Sequence, residues 1–182
     1  MKPQINTIET ERLILKEVTP KVYDHIMNHY DDDAIMQFFG YDTVKALLAE
    51  KERYLQGMSS YYSTFVRFCM VEKATGKTIG QCGYHKWYKD HSRAEFGYGM
   101  SNDEVKNKGF MREAAAPIIK YGFEQMKLNR IEAFASPRNT PSIKILERLG
   151  FTYEGLMREH YCKNDVMEDS ACYSLLRREY NP

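Results

Sequence analysis

The stretch Arg93–Met126 leaves this chain few architectures. Arg93–Met100 alternates apolar and polar residues as a strand does. After a short polar connection, Gly109–Met126 switches to the helical repeat, with Met111, Ala114, Ala115, Ile118, Gly122 and Met126 on one face. A strand that feeds directly into an apolar-faced helix needs a sheet for that helix to cover. Pro117 lies inside the helical stretch, where it removes the bond to the Glu113 carbonyl and favours a kink.

The same change of period recurs on either side. Glu11–Val18 reads as a strand, Pro20 to about Tyr30 as a short helix, and Thr43–Met58 as a second helix capped by Asp42 or Thr43. Asp31-Asp32-Asp33 between them reads as a solvated loop, and Lys45, Glu50, Lys51, Glu52 and Arg53 as a solvated charged face. Phe65–Val71 and Thr78–His85 form a hairpin about Ala74–Lys77, and Arg130–Ala135 is a further strand. Thr140–Leu149 is a helix, with Pro141 at its start and Gly150 just beyond its end. Phe151–Glu159 and Glu168–Leu176 close the chain as a hairpin turning at Asn164-Asp165. The order β-α-α-β-β-β-α-β-α-β-β predicts one α/β domain over residues 1–182, a mixed sheet flanked by helices.

Composition narrows the function classes. The 182 residues carry 26 Lys and Arg against 25 Asp and Glu, so no global charge draws the chain to nucleic acid. The opening segment has no apolar leader, and no apolar run approaches the roughly 18–20 residues a membrane span needs. Cys69, Cys82, Cys162 and Cys172 show no metal-ligand spacing, which fits free thiols in a reducing cytoplasm and no metal site.

Two features carry chemistry. Gly97 and Gly99 are poor strand formers and mark either a bulge or a close approach by another backbone or a ligand. Ser101–Met111 links this strand to a helix N-terminus, where the first amides lack internal partners and the dipole favours an anion. Asn107 and Gly109 tolerate positive φ, so consecutive N–H groups can curl around a diphosphate, with Lys106 and Lys108 adding charge. On this loop alone, an ordinary strand–helix connection is the simpler reading.

Beyond the loop, Ala94–Tyr98, Lys108–Ala114, Leu128–Ala133, Pro137–Ser142, Ile145–Phe151, Glu154–Glu159 and Tyr173–Arg177, with Thr10–Lys16 at the start, occur in an order that resembles the GNAT superfamily of N-acetyltransferases. Within it the match is to the ribosomal-protein N-terminal (Rim-type) branch. The family's cofactor loop usually runs Gln/Arg-x-x-Gly-x-Gly/Ala. This chain has Glu104 at the first position and Asn107 in place of the first glycine.

The resemblance implies a GNAT-like, mostly antiparallel sheet whose strands Arg93–Met100 and Arg130–Ala135 splay apart to admit the pantetheine arm of acetyl-CoA. It implies cofactor contacts from Met100, Lys106, Asn107, Lys108, Gly109, Phe110, Met111, Asn139 and Ser142. Glu95 is expected to be the base or an acceptor-positioning carboxylate; pairing with Arg93 or another sheet residue is its structural alternative. Leu146 stands where many relatives carry a proton-donating Tyr, so Ser142 near the sulfur and Tyr161 are the catalytic candidates beside Glu95. Tyr61, Tyr62, Trp87, Tyr88 and Tyr161 are aromatic enough to line an acceptor pocket, and core packing accounts for such residues equally well.

The activity implied is transfer of acetyl from acetyl-CoA to an amine, either a protein N-terminus or a small molecule. Two other readings stand beside it, a non-catalytic acyl-CoA sensor and a purely structural interaction protein. No nucleic acid or membrane partner is expected, and a homodimer is left open.

Overall fold

A computed structural model describes residues 2–60 and 62–181. Among the described residues the chain forms strands β1 (Thr7–Glu9) and β2 (Leu13–Val18), helices α1 (Pro20–His29), α2 (Asp32–Phe39) and α3 (Val44–Gln56), and strands β3 (Thr64–Glu72), β4 (Thr78–Tyr88) and β5 (Arg93–Met100). Helix α4 (Phe110–Glu124), strand β6 (Arg130–Ala135), helix α5 (Thr140–Arg148) and strands β7 (Thr152–Lys163) and β8 (Val166–Leu176) follow. The strands make one sheet in the order β1-β2-β3-β4-β5-β6-β8-β7, antiparallel except for β5 and β6. The mixed α/β, mostly antiparallel sheet with flanking helices is the predicted class.

Each helix start has a local cause. Thr19, Asp31, Thr43 and Asn139 accept from backbone N–H groups at the starts of α1, α2, α3 and α5, removing orphan donors there. Of the two caps offered for α3, Thr43 is the one used. The Asp31–Asp33 run is no loop. Asp31 Oδ1 accepts from Ala34 N at 2.8 Å, and Asp32 and Asp33 fill a first turn where the dipole favours acids. Ile35 and Phe39 of this helix are buried, and Gln81 Nε2 on β4 donates to the Phe39 carbonyl at 3.2 Å.

Strand β2 begins at Leu13 rather than Glu11, because the residues before it are held by another element. Glu113 of α4 accepts from Thr10 Oγ1 at 2.5 Å and from Arg12 N and Nε at 2.7 Å each. Helix α4 continues through Pro117 and buries Met111, Ala114, Ala115, Ile118 and Gly122 as its periodicity predicts. Asn164 and Asp165 both have positive φ, the requirement of a two-residue type I′ hairpin turn.

The core has two parts. The larger lies under α4 and α5, with Tyr84, Phe96, Phe110, Ile118 and Leu146; the smaller lies under α1–α3, with Ile26, Ile35, Phe39, Leu47 and Cys69. Glu50 belongs with the second of these rather than on a solvated face: it is 0 % exposed. It accepts from Tyr41 Oη at 2.7 Å and Arg67 Nη2 at 2.9 Å, and also pairs with Arg53. Lys51 on the same helix is exposed and pairs with Asp32 at 2.5 Å.

Candidate active site

The site begins where the sheet fails to close. β5 and β6 pair only at Arg93↔Arg130, Ala94↔Ile131 and Glu95↔Glu132, although β5 continues to Met100 and β6 to Ala135. Beyond Glu95 the strands part, and an open cleft of about 990 Å³ lies between them. Its walls include Glu95, Gly97 and Tyr98 of β5, Ala133–Ala135 of β6, Asn139 at the cap of α5, Ser142 within α5, and Tyr161 of β7. The expected splay is therefore present. A bulge at Gly97 or Gly99 is not, since β4–β5 pairing runs in register from Met100 to Glu95. The irregularity lies instead in β4, between His85 and Tyr88, where Lys86 has φ 43°. Close approach by another backbone is not seen at these glycines either: a Cβ at Gly97 would sit 2.5 Å from the His85 side chain, at Nε2, and one at Gly99 would meet nothing within 4 Å.

The structure gathers the three catalytic candidates, Glu95, Ser142 and Tyr161, around this one cleft. Glu95 is near Lys86 Nζ at 3.4 Å, while Arg93 pairs with Glu132 instead. Tyr161 Oη donates to Glu168 Oε2 at 3.3 Å. Ser142 Oγ lies 2.8 Å from Tyr98 Oη, and Tyr98 Oη also donates to the Ser142 carbonyl at 3.2 Å. Burial raises the Tyr98 hydroxyl above its ordinary range, and the Ser142 bond opposes this only partly, so the phenol stays protonated at neutral pH.

Tyr98 was not singled out in the sequence. Its side chain alternates with Gly97 and Gly99, but only the splay shows that it reaches α5. Leu146, at the position of the family's tyrosine, is buried in the core at 1 % exposure. Tyr98 thus brings a phenol to this site from the strand instead of the helix.

The loop before α4 is built for exposed amides. Asn102 caps the short 3₁₀ turn Asp103–Val105, Asn107 has φ 60° and Gly109 φ 79°. Among the α-helices of the described residues α4 is the one with no side-chain cap, so no capping side chain occupies its first amides. Arg12 braces the loop. Its Nη1 donates to the Lys108 carbonyl at 3.0 Å and its guanidinium lies 4.4 Å from the Phe110 ring. Phe110 and Met111 are buried in the larger core, so they anchor the helix start and can offer a ligand only their backbone. Lys106 Nζ bonds Asp103 at 2.6 Å on the surface, a pair weak enough to exchange.

Asn139 Oδ1 accepts from Ser142 N at 3.3 Å, which leaves its amide NH₂ free to donate into the cleft. Met100 is not part of the cleft; it lines a separate depression of about 360 Å³ with Tyr41, Thr43 and Ser101. Trp87 packs against the larger core and Tyr88 stacks under Arg93 at 4.3 Å, so neither lines the cleft. Tyr62 is exposed, and Tyr61 lies outside the described residues.

The comparisons agree with this geometry. The family model described as acetyltransferase (GNAT) domain matches residues 12–152. An uncharacterized N-acetyltransferase, p20, of Bacillus licheniformis is 32% identical over 97% of this chain and 99% of its own length. The putative ribosomal N-acetyltransferase YdaF of Bacillus subtilis is 34% identical over 58% of this chain and 57% of its own. A GNAT-family acetyltransferase structure from Bacillus anthracis superposes with a TM-score of 0.67 at 26% identity, covering 96% of this chain and all of that one. With the splayed cleft and uncapped α4 start already in place, these matches make the chain a member of the GNAT family, an acetyl-CoA-dependent acyltransferase.

Proposed function

We propose that the chain moves acetyl directly from acetyl-CoA to an amine, and that the amine is the α-amino group of a protein N-terminus or a small-molecule amine. The observation that carries the reading is the shared cleft, which brings Glu95, Tyr98, Asn139 and Ser142 around one space beside the β5–β6 splay. The likeness to YdaF, named a putative ribosomal N-acetyltransferase, favours a protein N-terminus.

In this reading the amides from Asn107 to Met111 hold the diphosphate, with Lys106 and Lys108 supplying charge around it. Asn139 donates its amide to the pantetheine arm. Met100 takes a part only if that arm extends over the end of β5. The Tyr98–Ser142 hydroxyl pair serves the sulfur side, giving the leaving thiolate a proton in a step that such groups accelerate by about 10²–10⁴-fold. Glu95 positions the acceptor amine, and Tyr161 borders the acceptor's entry from β7. Glu104, an acid in the loop, points its charge away from the phosphates or is offset by the two lysines.

Free-thiol release from acetyl-CoA, followed across a panel of peptide N-termini and polyamines, tests the proposal. Turnover with one of these classes is the expected result. Tight acetyl-CoA binding with no turnover on any amine would instead indicate a sensor.

A further inference from the structure

The transfer reading leaves one residue at the centre of the site unused. His85 on β4 stands directly opposite Glu95 on β5. It lines the large cleft and also a second cavity of about 350 Å³, bounded by Arg53 and Met58 near the end of α3 and by Arg67 and Gln81 on the sheet. Among the described residues three border both spaces, His85, Gly97 and Tyr98, and of these His85 carries a nitrogen base. One space is the cleft assigned to the cofactor. The other lies beside the end of α3 and meets that cleft at His85, next to the place where Glu95 would position the acceptor.

Local structure holds the imidazole at this junction. The irregularity that follows His85, with Lys86 at φ 43°, bends β4 and re-aims its side chains, as bulges beside active sites do. The ring lies over Gly97, so close that a Cβ there would be 2.5 Å from Nε2 and 2.7 Å from Cδ2. Within the described residues no hydrogen bond engages either ring nitrogen. The half-buried ring thus keeps both nitrogens available to a ligand.

We propose that His85 is the general base of the acetyl transfer. The inference rests on the transfer reading and deepens it. The neutral amine nitrogen attacks the thioester carbonyl carbon and a C–N bond forms. The nitrogen, now cationic, is a far stronger acid than a free ammonium, and its proton passes to the imidazole. Collapse of the adduct breaks the C–S bond, and the thiolate takes its proton from the Tyr98 hydroxyl. His85 then releases a proton to solvent and Tyr98 regains one, so one amine and one thioester become one amide and one thiol.

The surrounding charges suit this role. Burial is the largest influence on His85 and lowers it below the ordinary 6.5; Glu95 opposes this, while Arg67, Arg53 and Lys86 add to the lowering. The far wall of the cleft contributes Glu159, Lys163, Glu168 and Asp169 from β7 and β8. The ring is therefore neutral at pH 7 and ready to accept a proton. Taking one from a resting ammonium, with a pKa of about 8 for an α-amine and about 10.4 for a lysine, would be uphill, which is why the proton moves as the bond forms.

The test is thiol release from acetyl-CoA with an alanyl tripeptide amide and with spermidine, in wild type, His85→Gln, Gly97→Ala and the double variant. Thermal shifts with CoA confirm that each variant is folded and binds. His85→Gln is expected to lose about 10²–10³-fold in kcat near pH 7 and the rate limb that titrates below pH 6.5, with KM for acetyl-CoA within about twofold. Gly97→Ala, which pushes the ring aside, is expected to lose about tenfold alone and nothing further in the His85→Gln background. A His85→Gln enzyme that keeps a third of its kcat with an unmoved pH limb would overturn the proposal. A wild type that binds CoA but turns over neither amine gives a different result, one that removes the transfer reading and the base together.

Discussion

Arg67 Nη2 donates to Glu50 Oε1 across 2.9 Å, joining β3 to α3 through two side chains that are 6% and 0% exposed. Arg67 also lies against the Tyr23 ring at 4.8 Å, so a charge pair is seated in an aromatic setting. Removing one partner leaves the other charged and buried. Glu50→Gln should therefore cost about 3–5 kcal/mol, whereas joint replacement by apolar residues of similar size should cost far less. Burial acts to raise the Glu50 pKa but is outweighed by Arg67, Tyr41 and Arg53, leaving it lowered. The carboxylate thus stabilises the fold above its ordinary value of 4.5, and that stability is lost as pH falls through the lowered value. Urea melts across pH 3–7 on wild type and Glu50→Gln check both the size and the direction.

The Tyr98–Ser142 pair makes a kinetic prediction. Tyr98→Phe removes the proton donor while keeping the ring, and should lower kcat by about 100-fold with KM for acetyl-CoA changed by less than about twofold. Ser142→Ala should cost less, because Tyr98 retains its 3.2 Å bond to the Ser142 carbonyl. Equal and large KM increases in both variants would mean that the pair binds rather than reacts.

The loop before α4 predicts a cofactor effect with a backbone origin. A Cβ at Gly109 would have only Arg12 Nη2 nearby, at 3.5 Å, so space is not the obstacle. The obstacle is φ 79°, which costs an ordinary L-residue roughly 1–2 kcal/mol. Gly109→Ala should raise KM for acetyl-CoA by about tenfold, and Gly109→Asn by less, since Asn tolerates this region. Arg12→Ala should act in the same direction by releasing the Lys108 carbonyl and Glu113. Steady-state kinetics with the acceptor saturating separates these cofactor effects from chemistry.

At the other end of the sheet, Arg130 binds Glu154 through two bonds of 2.7 and 2.6 Å, and Ser174 Oγ adds a third at 2.6 Å. These bonds, led by Arg130, hold the Glu154 carboxyl down at about 2. Glu154→Gln should reduce stability at pH 7 by at most about 1 kcal/mol, because the group is partly exposed and screened. The difference should be full above pH 4.5 and vanish as pH falls towards 2. Thermal melts in that window give the answer.

Much of this fold was legible because its causes are local. β5 and β6 match their predicted limits, since alternation and turn residues bound both strands. α5 follows from Asn139, Pro141 and Gly150. Helix α2 escaped because three aspartates read as solvent-facing, although the apolar residues behind Asp31 carry a helical spacing. Glu50 escaped for another reason: its partner Arg67 is seventeen positions away on a different element, and nothing in a charged helical run marks the one carboxylate that turns inward. Glu95 and Ser142 were named from family resemblance and Tyr161 from its place after Arg158-Glu159, and all three line one cleft. Tyr98 and His85 were not singled out, because their importance depends on which strands separate and on a kink in β4, both tertiary facts.

The parted strands have a mechanical meaning. Five strands lie on one side of the β5–β6 junction and three on the other, and among the described residues three residue pairs join them within the sheet, with the Arg93–Glu132 ion pair beside them. The strands share a fixed end at residues 93–95, and the unpaired backbone above it leaves room for another extended chain. An occupant that bonds both edges welds the halves into one cooperative unit. Amide protection gained at Gly97–Met100 and Phe134–Ala135 together, rather than along one edge alone, would be the signature of that weld.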